Sequence, residues 1–256
     1  MIHPTAIIDP SAEVSDGAKI GPYAVIGPEV SIGRGTDIGP HVVIKGPTRI
    51  GEDNKIYQFA SIGEDPQDLK YDGERTELII GDRNRIREYA TINRGTEGGG
   101  AVTRVGNDNL FMAYIHIAHD CRVGSHTVFA NGASLAGHVT VGDYAILAGF
   151  ACVHQFCEVG EHAFLGLNAV ANRDVVPFTL AVGSYAEAKG INKTGLRRRG
   201  FDDLTIAALH RAYMTLLRQH GKRDQAIAAL ETVAKGHKEV RRFIDFIEAS
   251  ERGVVR

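Results

Sequence analysis

The sequence predicts a mainly β protein, a parallel β-helix of hexapeptide repeats followed by a small C-terminal α-helical domain. Three observations carry this reading. Ile or Val stands at every sixth position from 2 to 62, that is at 2, 8, 14, 20, 26, 32, 38, 44, 50, 56 and 62. Gly and Pro recur at fixed places inside the repeats, which a continuous strand does not tolerate. Beyond about residue 185 the apolar spacing changes to three and four, the helical period.

In such a repeat each hexad is one short strand and one corner, and three hexads close a triangular coil of eighteen residues. The beat residues point inward and stack on those of neighbouring coils, with rungs about 4.8 Å apart. No coil buries its own core, so many must stack. The beat is unbroken to about residue 63. The polar stretch GEDPQDLKYDGERTE (63–77) then interrupts it. This is far longer than a corner needs, and long loops on rigid scaffolds tend to carry function. The beat returns at Ile80, Ile86 and Ile92 and is broken again by NRGTEGGGAVTR (93–104). That Gly run lacks the Lys-Ser/Thr of a phosphate-binding loop and reads as a flexible connection. The beat then runs from Val105 to Leu165 and fades after Ala171.

Residues 181–201 read as an irregular link. Asp202 can cap a helix carrying Leu204, Ile206, Leu209, Tyr213, Leu216 and Leu217, stopped by Gly221. A second helix spans about 224–235 and ends at Gly236. A third carries Val240, Phe243, Ile244 and Ile247. We divide the chain into a coil domain (1–185) and a helical domain (186–256). The helices are expected to cover the coil's exposed sheet edge.

A net charge of −2 with pI near 6.6 argues against a nucleic-acid binder. No apolar run is long enough to span a bilayer. The opening MIHPTAIIDPSAEV has neither the basic region nor the apolar core of a secretory signal, so a cytoplasmic location is expected. Cys121, Cys152 and Cys157 do not have zinc-framework spacing. Cys121 and Cys157 fall at inward positions and read as small core residues.

Because one coil is eighteen residues, i and i+18 share a column. His119, Gly137 and Gln155 form one column, and Asp120 and His138 form the next. A titratable imidazole one rung from a glycine amide is a geometry for a general base beside an oxyanion donor. His116 and His154 flank these columns. Asn131, Gly149 and Leu167 form a further column on a neighbouring face. No Ser or Cys nucleophile with a paired base stands out.

IHIAHDC (115–121), ASLAGHV (133–139), VHQFC (153–157), IYQFASIGEDPQDLKYDGE (56–74), GDRNRIRE (81–88) and GLRRRGF (195–201) resemble the motifs of the UDP-N-acetylglucosamine O-acyltransferase family of lipid A synthesis. The likeness spans nearly the whole chain. It implies that the coil is left-handed and that the protein is a cytoplasmic homotrimer. It also implies transfer of an (R)-3-hydroxyacyl chain from acyl carrier protein to the sugar 3-hydroxyl, with no cofactor and no metal. In that family His119 would be the base, Asp120 its orienting acid and the Gly137 amide the oxyanion donor. Asp68, Lys70, His116, His138, His154 and Gln155 would hold the sugar nucleotide, with Asn192, Arg198 and Arg199 reaching it from the helical segment. Thr194 stands where the family pattern has an acidic residue. Acyl length would be limited at Leu167 in the groove column, which predicts chains of about ten to twelve carbons over fourteen. The bases Arg197, Arg198, Arg199, Arg241 and Arg242 would receive the acidic carrier protein.

Two other readings compete. A zinc lyase of the γ-carbonic-anhydrase type uses the same coil with three His ligands, and four histidines cluster here. A purely structural β-helix leaves the loop 63–77 and the Arg197–Arg198–Arg199 run unexplained.

Overall fold

Each hexad supplies a strand of only two to four residues, and such short strands persist because the coils above and below complete their hydrogen bonds. The structure, a computed structural model, describes residues 1–219 and 223–256. Among the described residues the strands form three sheets of nine, eight and ten strands, which make the three faces of a prism. Where no inserted loop intervenes partners lie eighteen apart: Ile7 pairs with Val25, His116 with Ser134 and Thr140 with Glu158, all parallel. Sheet 1 runs from Ile7–Ile8 to Val170–Ala171, sheet 2 from Glu13–Val14 to Glu158–Val159, and sheet 3 from Lys19–Ile20 to Glu187–Ile191. Corner 1 joins sheet 3 to sheet 1, corner 2 joins sheet 1 to sheet 2, and corner 3 joins sheet 2 to sheet 3.

The beat residues are the core: Ile20, Ile26, Ile32, Ile38, Ile44, Phe111, Ile117, Phe129 and Leu147 are all buried. Part of the interior is polar. Asn84 donates to Asn54 Oδ1 (3.0 Å), Asn109 N donates to Asn84 Oδ1 (3.0 Å), and Thr127 N and Oγ1 both donate to Asn109 Oδ1 (2.7 Å). These side chains also cap the corner carbonyls of Gly81, Gly106 and Gly124. Each partner is supplied by the next rung, so the polar column is buried without unpaired groups on its asparagines. Cys121 and Cys157 are buried as expected, and burial pushes the Cys121 thiol up to about 12. Cys152 is exposed.

Both inserted loops leave the prism at corner 2. The first links Ser61–Glu64 to Glu77–Ile80, and the second links Thr91–Asn93 to Val102–Val105. They are tied together. The buried Arg94 donates to Gly63 O and to Tyr71 Oη and pairs with Asp65, and Asn93 Nδ2 donates to Asp65 O (2.6 Å).

The segment expected as an irregular link is ordered instead. Thr179–Val182 pairs antiparallel with Glu187–Ile191, and helix α1 (Lys193–Arg198) follows. Asn192 caps α1, accepting from Gly195 N (3.1 Å). Helix α2 (Asp203–Tyr213) is capped by Asp202, which accepts from Thr205 N (2.7 Å), and runs into a π-helical turn at Met214–Arg218. Gly221, the expected stop, lies outside the described residues. Helix α3 (Arg223–Gly236) and helix α4 (Lys238–Ala249) complete the end. Leu209, Ala212, Val240, Phe243 and Ile244 join the coil's core cluster. No described helix is long and apolar enough to cross a membrane.

Candidate active site

The corner residues at the second position of each turn take left-handed backbone angles, with φ of +61° at Asp120, +62° at His138 and +62° at Phe156. Eighteen-residue spacing stacks them on corner 2. His138 and Phe156 lie ring on ring, 4.3 Å apart and 8° from parallel. His119 meets His138 edge-on at 5.1 Å.

His119 and Asp120 are a bonded pair. His119 Nδ1 lies 2.8 Å from Asp120 Oδ2, with side chains 12% and 1% exposed. The carboxylate is held from the second inserted loop: Thr96 N donates to Oδ1 (2.9 Å) and Thr96 Oγ1 to Oδ2 (2.7 Å). Donation from Nδ1–H to this carboxylate leaves Nε2 unprotonated in the neutral ring. The Gly run explains itself here. A Cβ at Gly99 would fall 1.9 Å from Asp120 Cγ, so the loop can pass over the carboxylate only as glycine. The expectation of a free flexible loop at 93–104 is therefore corrected: it is the clamp on Asp120.

Gly137 sits one rung above His119. A Cβ there would come within 2.5 Å of His119 Cε1 and 2.7 Å of Nε2. The Gly137 N–H donates to no acceptor among the described residues and stays available beside the imidazole. Burial, followed by the opposing attraction of Asp120, sets the His138 imidazole below its ordinary range, and burial with the nearby His119 does the same to His116. His116 Nδ1 is 2.7 Å from Thr91 Oγ1.

A cavity of about 650 Å³ opens beside His138 and Phe156, walled by Asp68, Lys70, Glu74 and Glu97. His119, Asp120, Gly137, His138, Asp68 and Lys70 thus gather at corner 2, with His116 on sheet 1 beside them. His154 and Gln155 lie two rungs above His119 on the same corner. The remaining expected residues do not join them within one chain. Asn192 Nδ2 donates to His162 O (3.0 Å) and the Arg199 guanidinium covers the Tyr144 ring (4.7 Å), which places α1, with the exposed Arg198, on corner 3. Asn131, Gly149 and Leu167 lie on corner 1, where Phe150 N donates to Asn131 O and Asn168 N to Gly149 O. A face of six residues at about 3.3 Å each separates corners by roughly 20 Å. An acyl chain running along one subunit from Gly137 would not meet this column, contrary to the expectation from spacing.

The expected basic patch is also largely neutralised. Arg197 pairs with Asp203, Arg241 with Glu231 and Asp245, and Arg242 with Glu161. Three site residues escaped the sequence reading. Thr96 carries no periodic signal, being in an insertion. Phe156 stands eighteen after His138 and was legible in principle. Arg252 reaches His154 from the chain's end.

His119, Asp120 and His138 are the one described group whose atoms lie close enough to share a metal, within 4.8 Å of one another. The set has two His and one carboxylate whose oxygens are already taken by Thr96 and His119. His116 and His154 are bonded elsewhere, to Thr91 Oγ1 and to Gln155 O. Among the described residues of one chain no three histidines come together as a zinc lyase would need.

A hexapeptide coil with a His-Asp pair on one corner defines a hexapeptide-repeat transferase, and the family profile for bacterial transferase hexapeptides (six repeats) matches residues 11–46. The profile for UDP N-acetylglucosamine O-acyltransferase, domain 2, matches 174–255. A relative from Xanthomonas euvesicatoria, the acyl-[acyl-carrier-protein]–UDP-N-acetylglucosamine O-acyltransferase, is 56% identical over 258 residues, covering 100% of this chain and 98% of that protein. Solved structures of LpxA from Acinetobacter baumannii (46% identical, TM-score 0.97) and of UDP-N-acetylglucosamine O-acyltransferase from Moraxella catarrhalis (47%, 0.97) each cover 100% of this chain and are themselves 99% covered. The chain belongs to the acyl-[acyl-carrier-protein]–UDP-N-acetylglucosamine O-acyltransferase family, and its fold is the left-handed parallel β-helix with a helical end.

Proposed function

We propose that this protein transfers an (R)-3-hydroxyacyl chain from acyl carrier protein to the 3-hydroxyl of UDP-N-acetylglucosamine, the first step of lipid A synthesis, in the cytoplasm. The observation that carries it is the His119–Asp120 pair, clamped by Thr96, with the free Gly137 N–H one rung away. His119 Nε2 takes the sugar hydroxyl proton while that oxygen attacks the thioester carbonyl carbon. Asp120 steadies the imidazolium. The Gly137 N–H holds the tetrahedral oxyanion. As the C–S bond breaks, His119 returns the proton to the departing thiolate. The thioester is already activated, so the scheme needs no covalent enzyme intermediate.

The polar cavity by Asp68, Lys70, His138 and Phe156 suits a sugar. The placement of Asn192, Arg198 and Arg199 on corner 3, and of Asn131, Gly149 and Leu167 on corner 1, supports a homotrimer. In it, corners of adjacent subunits meet around each site. A second cavity of about 380 Å³ between the last strand and α2, where Lys193, His210 and Arg218 stand beside the Lys189–Glu187 pair, suits the acidic carrier protein better than the paired arginines. Leu167 is 68% exposed and its Cδ1 leans over Gly149, 3.2 Å from where a Cβ would stand. It shortens the acyl groove and favours ten to twelve carbons. Incubation with UDP-N-acetylglucosamine and carrier proteins charged with ten to sixteen carbons, followed by mass analysis, tests the reading. Absence of any acylated sugar nucleotide overturns it.

A further inference from the structure

Beyond α4 the chain turns back onto corner 2. Ser250 Oγ donates to Asp174 Oδ2 (2.6 Å), Asp174 N donates to Gly253 O (3.1 Å), and Val255 N donates to Asp174 O (2.8 Å). Asp174 and Val254 form a parallel bridge. Asp174 is 5% exposed and stands eighteen residues after Phe156, so the tail is fastened one rung above that ring. The exposed Arg252 is thereby carried to the upper rim of the site, where its Nη2 lies 3.3 Å from His154 Nδ1, which is itself 3.1 Å from Gln155 O.

No carboxylate among the described residues lies within ion-pair range of Arg252, although Arg197, Arg241 and Arg242 all have one. The tail therefore holds a guanidinium at the mouth of the site beside His154 and Cys157, with no carboxylate upon it. The lower cavity has the opposite character. Asp68, Asp72, Glu74 and Glu97 line it against the single cation of Lys70. A phosphate entering corner 2 is repelled from that wall and drawn to the rim. His154 lies two rungs above His119, about 10 Å along the axis. A hexose with its diphosphate, or a phosphopantetheine arm, bridges that span.

The geometry points to Arg252, with His154 beside it, as a binding residue for a substrate phosphate. This rests on the acyl-transfer reading above. The phosphate belongs either to the sugar nucleotide's diphosphate or to the carrier's pantetheine arm. Both bring the same chemistry, which guanidinium matches by its paired donors.

The test uses the full chain with Arg252→Ala and Arg252→Lys. Steady-state kinetics vary UDP-N-acetylglucosamine and acyl carrier protein in turn, and acyl-phosphopantetheine is compared with acyl-pantetheine as donor. Because Arg252 is exposed and takes no part in the tail's anchoring bonds, thermal melting of the variants should match wild type. A KM for one substrate raised roughly tenfold in Arg252→Ala, with most of the affinity kept in Arg252→Lys, is the expected result. A rise confined to UDP-N-acetylglucosamine assigns the diphosphate. A rise confined to the carrier, with loss of the preference for the phosphorylated donor, assigns the pantetheine arm. Both KM values within twofold of wild type overturn the inference, as does a fall in kcat alone. A wild-type protein that transfers nothing speaks against the acyl-transfer reading, a different outcome from transfer indifferent to residue 252.

Discussion

His119 owes its setting to two neighbours that cannot be exchanged. Gly137 must lack a side chain for the ring to lie where it does, and Asp120 must be buried and doubly held by Thr96 to keep Nδ1 protonated. His119→Ala removes the proposed base and leaves the stacked core untouched. Turnover is expected to fall by about 10²–10⁴, because a positioned general base contributes that much. Circular dichroism should show an unchanged fold, and activity within a few-fold of wild type refutes the role. Leu167 makes the second residue-scale prediction. A leucine side chain occupies the space of about two to four methylenes, each worth about 0.8 kcal/mol when buried. Leu167→Gly should shift preference toward fourteen carbons with total turnover little changed. Product masses from mixed acyl carrier proteins check it, and an unchanged chain-length profile refutes it.

At the scale of the element, the corner columns behave as units. On corner 1 the rings of Tyr23, His41, Phe59, Tyr89 and Tyr114 stack at 4.9 to 5.3 Å, because left-handed corner residues eighteen or more apart overlay one another. On corner 3 His162 lies between Tyr144 and Phe178, with Phe201 against its edge. Burial, and then the Arg199 guanidinium, push its imidazole down to about 4, with Asp143 opposing and Arg242 adding slightly. The unfolded chain has the ordinary value of 6.5 and so binds the proton more readily below neutrality. The stabilisation is therefore full above about pH 6.5 and is lost as pH falls toward 4. Thermal melts of wild type from pH 7 to 4 should decline more steeply than those of His162→Phe, which keeps the ring stack without the titrating group. Parallel declines in the two proteins would refute this account.

The whole molecule raises the question of where the site is completed. One chain gathers the His119–Asp120 pair, its Thr96 clamp and a polar cavity on corner 2, yet carries Arg198 and Arg199 on corner 3 and Leu167 on corner 1. A closed three-fold assembly lets each corner serve a neighbour. Light scattering is expected to give a trimer. Subunits with His119→Ala, co-refolded with equal Arg198→Ala/Arg199→Ala subunits, should regain about a quarter of wild-type activity. In random cyclic trimers one interface in four joins an intact His119 to intact arginines. A mixture no more active than its components would place the whole site within one chain.

The six-residue beat was sufficient for the coil, its eighteen-residue rung and the identity of the core. A repeat that stacks on itself makes every long-range contact a fixed offset in sequence. By the same arithmetic the juxtapositions of His119 with Gly137 and of Asp120 with His138 were legible, and so in principle was Phe156. The helices at the end were legible from their period and from Asp202 as a cap. What escaped were contacts with no periodic address. The clamp of Thr96 on Asp120, the tie of Arg94 across two insertions and the return of Arg252 to His154 all join segments whose separation follows no repeat. The corner on which each column lies was likewise decided by closure of the prism. Spacing modulo eighteen tells which residues align along the axis, and only the folded coil tells which of its three corners they share.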